Sequence, residues 1–220
     1  QVLETLGVKL AVKPETQTRC LDDAGICFCF APNHHPAMKH VAPIRAELGI
    51  RTIFNLLGPL TNPAGAKSQV LGVFSAALTE PIARVLKSLG ADHAMVVHGL
   101  LDETHGLDEL ITCGPSQVSH LRHGEVTTYR VEPANLGFKP RDPKELLVDG
   151  PEQSAQVIRD VLKGKKGHPY DIVCLNAAAA LVVADLVLDL HEGVAKATEA
   201  IKSGSAAATL DKLVAITQAD

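Results

Sequence analysis

From Glu109 to Pro133 the chain alternates apolar and polar residues in "ELITCGPSQVSHLRHGEVTTYRVEP". Turn residues stand at Gly114-Pro115 and His123-Gly124, so the pattern predicts an antiparallel excursion. The segments before it read differently. "QVLGVFS" and "HAMVVHG" are apolar runs of strand length, and "LTEPIARVLKSLG" between them reads as a helix with Pro81 near its start. That strand–helix–strand order predicts a parallel pair joined by a helical crossover.

Nearer the start, "VLETLGV" reads as the last turns of a helix ending at Gly7. "PETQTRCLDDAG" reads as a helix from Pro14 to Gly25. "ICFCFA" is expected to be a short buried strand. "HHPAMKHVAPIRAELG" is expected to be mainly helical, with Pro36 at a helix start and a break near Ala42 caused by Pro43. "NLLGPLTNPAGA", dense in Gly, Pro and Asn, is expected to be a loop. The chain closes on helices over Glu152–Leu162, Tyr170–Leu186, Leu190–Ser203 and Ala206–Val214. The sum is an α/β protein, a mostly parallel sheet flanked by helices, and residues 1–220 read as one domain. No repeat period or low-complexity linker is visible.

Composition narrows the function. The 220 residues are 46% apolar, enough for a sizeable core. The net charge of −4 and an aromatic content of 3% without Trp argue against a nucleic-acid surface. The Lys163–Lys166 stretch is short and reads as a solvated loop. Five cysteines, at 20, 27, 29, 113 and 174, fit no disulfide framework or zinc spacing, as expected of a reduced, cytoplasmic protein. The apolar run "IVCLNAAAALVVA", about 13 residues long, is too short for a bilayer and is interrupted by Asn176. It reads as a buried helix. The first residue is Gln, which points to processing or to a fragment.

Candidate chemistry lies in three stretches. "GPLTNP" is a stiff loop that loses little entropy when it lines a site, although its composition fits a plain turn equally well. "HHPAMKHVAPIR" carries His35 beside a helix-start proline, where free N–H groups attract anions, and Arg45, which can clasp a carboxylate in a fork. On a straight helix those two would stand ~15 Å apart. The usual fate of such residues is a solvated face. "VVHGLLDETHGLDEL" repeats a His-Gly-Leu element, each copy followed by an Asp-Glu pair. Ligands of open α/β sheets bind beyond the carboxyl ends of strands. Mg²⁺ is commonly held by one or two carboxylates while bridging phosphates. From these residues alone the two pairs, Asp102-Glu103 and Asp108-Glu109, are equivalent. A glycine-rich phosphate loop opening a helix is missing; "GKKGH" and "NPAGAK" are poor substitutes.

In order along the chain, "FAPNHHPAMKHVAPIRAELGIRTIFNLLGPLTNPAGA", "QVLGVFS", "VVHG…GLDEL", "NAAAALVVAD" and "AIKSGSAAATLDKLV" resemble the anthranilate phosphoribosyltransferase family of tryptophan biosynthesis. The resemblance implies the large α/β domain of the nucleoside phosphorylase/phosphoribosyltransferase-like fold. It implies transfer of the phosphoribosyl group of phosphoribosyl pyrophosphate to the amino nitrogen of anthranilate, with Mg²⁺ as cofactor and a homodimer as the full-length form. Arg45, His35 and Pro59 match the family's anthranilate channel, and Asp108-Glu109 match its metal pair. No residue is implied as a covalent catalyst. Asp102-Glu103 falls in a loop that looks longer than the family's. The family's helical N-terminal domain, its GTGGD phosphate loop and its KHGN motif have no counterpart here. The 220 residues therefore resemble the C-terminal part of a longer enzyme, expected to be inactive alone. A nucleoside-phosphorylase-like enzyme and a non-catalytic binding module on the same fold are the alternative expectations.

Overall fold

The computed structural model describes residues 1–34, 47, 54–102 and 105–220. In chain order its helices are α1 (Val2–Thr5), α2 (Pro14–Arg19), α3 (Ala31–His34), α4 (Phe54–Leu60), α5 (Thr79–Ser88), α6 (Pro151–Leu162), α7 (His168–Val183), α8 (Leu190–Lys202) and α9 (Ser205–Gln218). The strands are β1 (Ser68–Gly72), β2 (His93–Leu100), β3 (Gly106–Leu107), β4 (Ser116–Arg122) and β5 (Glu125–Val131). The chain divides into two compact units, one of residues 1–65, 148–163 and 203–220, the other of residues 66–147 and 164–202.

The first unit is helical among its described residues. Val8, Cys20, Leu213 and Ile216 form its core, with Leu3, Cys27 and Val214 packed around them. The helix from Pro14 is present, but its second half, Cys20–Ala24, winds as a π-helix before Gly25 ends it. Two expectations fail here. "ICFCFA" is not a strand: Ile26 is 46% and Phe28 38% exposed, and no described strand of this unit offers it a ladder. A strand needs a hydrogen-bonding partner, and a short apolar run does not supply one. Cys27 and Cys29 do share a side, with Sγ atoms 3.9 Å apart. In "NLLGPLTNPAGA" the first residues belong to α4, and the loop starts only at Thr61. The Thr61 hydroxyl donates to the carbonyls of Leu57 and Gly58, closing the helix end, and Asn62 then caps the turn through Ala64 N–H. The break foreseen near Ala42 lies outside the described residues.

The second unit holds a mixed sheet in the order β1-β2-β4-β5, with β3 paired to β2 as well. β1 and β2 run parallel, joined by α5 as the crossover; β3, β4 and β5 are antiparallel additions. β2 is the central strand and is buried over nearly its whole length, as its continuous apolar run requires. On one face Met95, Val97 and Val118 pack with Leu175, Ala179, Val182 and Val183 of α7. α5 covers the other face, where Thr79 meets Gln117 and Ser119. The β4–β5 turn falls at the expected His123-Gly124, whose φ values of 51° and 76° suit a tight hairpin. Val73 bonds Val97, yet β1 ends at Gly72.

α7 and α8 cross so closely that a Cβ on Gly193 would stand 2.7 Å from the Ala178 Cβ. Gly193→Ala should therefore force the helices apart and cost about 1–3 kcal/mol of stability, read from urea unfolding. The same helix pair carries no such constraint at Ala180, which is exposed, so Ala180→Ser should leave the midpoint nearly unchanged.

At the start of β2 the rings of His93 and His120 stack with centroids 5.0 Å apart, and their Nε2 atoms lie 2.8 Å apart. Tyr129 OH is 3.2 Å from His120 Nδ1. A neutral chain satisfies this geometry: Tyr129 donates to His120, and His120 donates to His93. Asp185 Oδ1 lies 3.1 Å from His93 Nδ1 without hydrogen-bond alignment. Burial, then His93 and Arg122, push the His120 pKa down from 6.5 to about 4. Between those values the unfolded chain binds a proton that the folded one refuses, so folding stability is lost as pH falls through that window. His120→Gln should remove part of this acid sensitivity, roughly 2 kcal/mol, in chemical denaturation at pH 7 and pH 4.5.

Candidate functional site

Leu100 ends β2, and the chain returns through a short loop to β3, which pairs Gly99 with Leu107 and Leu100 with Gly106. The two acidic pairs part company in this return. Asp102 is used by the loop itself: its Oδ1 accepts from the His105 N–H at 2.7 Å, and its Oδ2 lies 2.9 Å from His105 Nδ1. Glu103 lies outside the described residues. Asp108 and Glu109 follow β3 beyond the carboxyl end of the sheet's parallel pair, Asp108 exposed and Glu109 half-buried.

Several contacts fix the backbone under this second pair. Gly72, at the end of β1, has no room for a side chain, because a Cβ there would overlap the Asp108 carbonyl. A Cβ on Gly99 would stand 2.9 Å from the Glu109 carbonyl. On the α7 side, Asn176 Oδ1 accepts from the Leu110 N–H at 3.0 Å, and its Nδ2 donates to the Leu110 carbonyl at 2.8 Å. The same Nδ2 lies 3.0 Å from the Ile172 carbonyl and 3.3 Å from Glu109 Oε2. One residue on, the Ile111 N–H donates to Ser116 Oγ at 3.0 Å. Leu110 and Ile111 are fully buried and anchor the pair from below.

The electrostatics are one-sided. Among the described residues neither Asp108 nor Glu109 forms an ion pair. Burial, and then the neighbouring Asp108 charge, push the Glu109 carboxyl above the usual carboxylate range. Two adjacent oxygen donors with like charge and no cationic partner suit a hard divalent cation. No group of three His, Cys, Asp or Glu side chains among the described residues converges to hold a metal. The pair thus fits Mg²⁺, which keeps several waters, and does not fit a structural zinc.

Of the other sequence candidates, Pro59 is exposed within α4 and belongs to the first compact unit. His35 and Arg45 lie outside the described residues. Asn176 carries the most site contacts, yet in the sequence it registers only as a polar break in an apolar helix. Its signal is there in retrospect: an amide placed in "CLNAAAAL" needs partners, and a helix end or a passing backbone must supply them.

The pattern described as "Glycosyl transferase family, a/b domain" matches residues 1–207. Anthranilate phosphoribosyltransferase of Methylobacterium nodulans is 49% identical over 218 residues, covering 99% of this chain and 64% of the relative. That of Chromobacterium violaceum is 51% identical over 217 residues, covering 99% and 62%. The crystal structure of anthranilate phosphoribosyltransferase from Thermus thermophilus superposes with a TM-score of 0.89 at 44% identity, over 99% of this chain and 63% of that one. The Saccharomyces cerevisiae enzyme in complex with phosphoribosyl pyrophosphate and Mg superposes at 0.87 with 29% identity, over 100% and 62%. The chain spans less than two thirds of the length of these relatives. The likeness places the fold with theirs, a sheet flanked by helices in the α/β class. The chain belongs to the glycosyl transferase family whose α/β domain is matched across nearly all of its length.

Proposed function

We propose that, as part of a longer protein, this chain transfers the phosphoribosyl group of phosphoribosyl pyrophosphate to the amino nitrogen of anthranilate, releasing pyrophosphate, in tryptophan biosynthesis. The observation that carries the reading is the Asp108-Glu109 pair, held without a cationic partner among the described residues, in a chain that superposes on enzymes of that name. The S. cerevisiae enzymes described with phosphoribosyl pyrophosphate and Mg and with 4-fluoroanthranilate supply the ligand chemistry.

On this reading Asp108 and Glu109 hold Mg²⁺, which when bound neutralises charge on the leaving diphosphate. The carboxylates keep their aim because the backbone beneath them cannot shift without breaking the Asn176 bonds or striking Gly72. Arg45, His35 and Pro59 are the candidates for anthranilate binding, and a guanidinium such as that of Arg45 suits a carboxylate. Positioning of the two reactants supplies much of the acceleration, and no protein nucleophile is needed. We take residues 1–220 as a partial phosphoribosyltransferase domain, inactive without the rest of the protein. No described helix is long and apolar enough to cross a membrane. We assign the complete protein to the cytoplasm, as a homodimer.

In the full-length protein, Asp108→Asn with Glu109→Gln should lower Mg²⁺-dependent turnover by roughly a hundredfold or more. Asp102→Asn should change it less than about threefold, because that carboxylate serves a loop turn. Equal losses in the two variants would remove the metal assignment. Isothermal titration of the full-length protein should give heat with anthranilate and none with a pyrimidine nucleoside. The reverse result would favour a nucleoside phosphorylase, and heat with neither would favour a binding module.

A further inference from the structure

We infer that Asn176 is a positioning residue for the acidic pair, setting the aim of Glu109 from the middle of α7. The inference rests on the reading of Asp108-Glu109 as a Mg²⁺ site and adds a residue to it. The segment after Glu109 is not a strand, so the Leu110 N–H and carbonyl have no ladder partner of their own. Asn176 supplies both halves of one: its Oδ1 takes the N–H at 3.0 Å and its Nδ2 serves the carbonyl at 2.8 Å. This pattern fixes the amide orientation, since a flipped amide would face donor to donor and acceptor to acceptor. With the amide fixed, Nδ2 is also the group 3.3 Å from Glu109 Oε2, a contact its two hydrogens share with the nearer Leu110 and Ile172 carbonyls.

Side-chain chemistry explains why this residue is an asparagine. Aspartate would accept from Leu110 N–H but leave its carbonyl without a donor and set a third negative charge beside Glu109. Alanine would leave both backbone groups of a fully buried residue unmet. Leucine would suit the apolar run and fail for the same reason. A helix whose neighbouring positions, Leu175 and Ala179, are buried in the core makes a stiff mount for the amide.

The predicted effect falls on the metal. The test uses the full-length protein and Mn²⁺ alone, with binding followed by the loss of the free-ion electron paramagnetic resonance signal. Asn176→Ala and Asn176→Asp should each weaken Mn²⁺ about 10–100-fold, as loss of a group behind a metal ligand does. In an Asn176→Ala and Glu109→Gln double variant the two losses should fall well short of additive, because one acts through the other. In turnover, the Mg²⁺ concentration for half-activation should rise more than kcat at saturating Mg²⁺ falls. Additive losses, or wild-type Mn²⁺ affinity in both Asn176 variants, would overturn the inference while leaving the metal site in place. Unchanged affinity in the Asp108→Asn, Glu109→Gln variant would instead remove the metal reading itself. Should the Asn176 variants fail to fold, the wild-type protein still decides. The Asn176 side-chain amide resonances should shift on Mg²⁺ addition, and their constancy at saturating Mg²⁺ would count against the role.

Discussion

The site depends on how a buried stretch of irregular backbone finds its hydrogen bonds. After β3 the chain does not continue as a strand, yet Leu110 and Ile111 are completely buried. Their polar groups must be met, and side chains do it: Asn176 for Leu110 and Ser116 Oγ for Ile111. The carboxylates that precede them, Asp108 exposed and Glu109 half-buried, are held by this tether. Glycines complete the constraint from the other side, since Gly72 and Gly99 admit the backbone of residues 108 and 109 closely. A polar clasp on one side and close packing on the other leave the pair little freedom, so little conformational entropy remains to be lost when a ligand arrives.

The doubled His-Gly-Leu element shows how local context separates identical residue types. Both acidic pairs follow a His-Gly-Leu element in the sequence, one before β3 and one after it. Asp102 closes its own loop, with one oxygen accepting from the His105 N–H and the other 2.9 Å from the His105 ring. Glu109 sits beside another carboxylate, half out of water, with its proton affinity raised by that burial. A divalent cation would relieve this repulsion, whereas at Asp102 it would have to displace an imidazole already in place. The local energetics by themselves favour the second pair.

Much of the fold is legible in the sequence where the signal is long and periodic. The crossover through α5, the β4–β5 hairpin with its His123-Gly124 turn, and the C-terminal helices all lie where the pattern puts them, within a few residues. The failures are short. "ICFCFA" has strand composition but no neighbour to pair with, and pairing is a tertiary fact. "NLLGPL" has loop composition, yet the Thr61 hydroxyl closes the last turn of a helix through it. Asn176 escapes for a related reason: its partner is the backbone of Leu110, 66 residues earlier in the chain, and no local pattern announces that contact. The acidic pairs stand out by their place after a buried strand, and the family resemblance singles out Asp108-Glu109; the His105 bond and the Asn176 clasp are the local differences that the sequence does not display. His35 and Arg45 stand out by residue type, but only the family resemblance gives them a role, and they lie outside the described residues.

Charge balance also says what the pair cannot do by itself. Two carboxylates roughly cancel one divalent cation, leaving no excess positive charge for a diphosphate. Stabilising such a leaving group takes N–H donors or cationic side chains aimed at the phosphates in addition to the metal. Among the described residues, those in contact with Asp108 and Glu109 at Gly72, Gly99 and Asn176 offer none with a full positive charge. On the proposed reading, phosphate recognition would call on groups other than these, with the metal between them and the acidic pair. On that division the second unit would keep a negatively charged ledge rigid, and the Asn176 amide, bonded to both backbone groups of Leu110, is placed to do it.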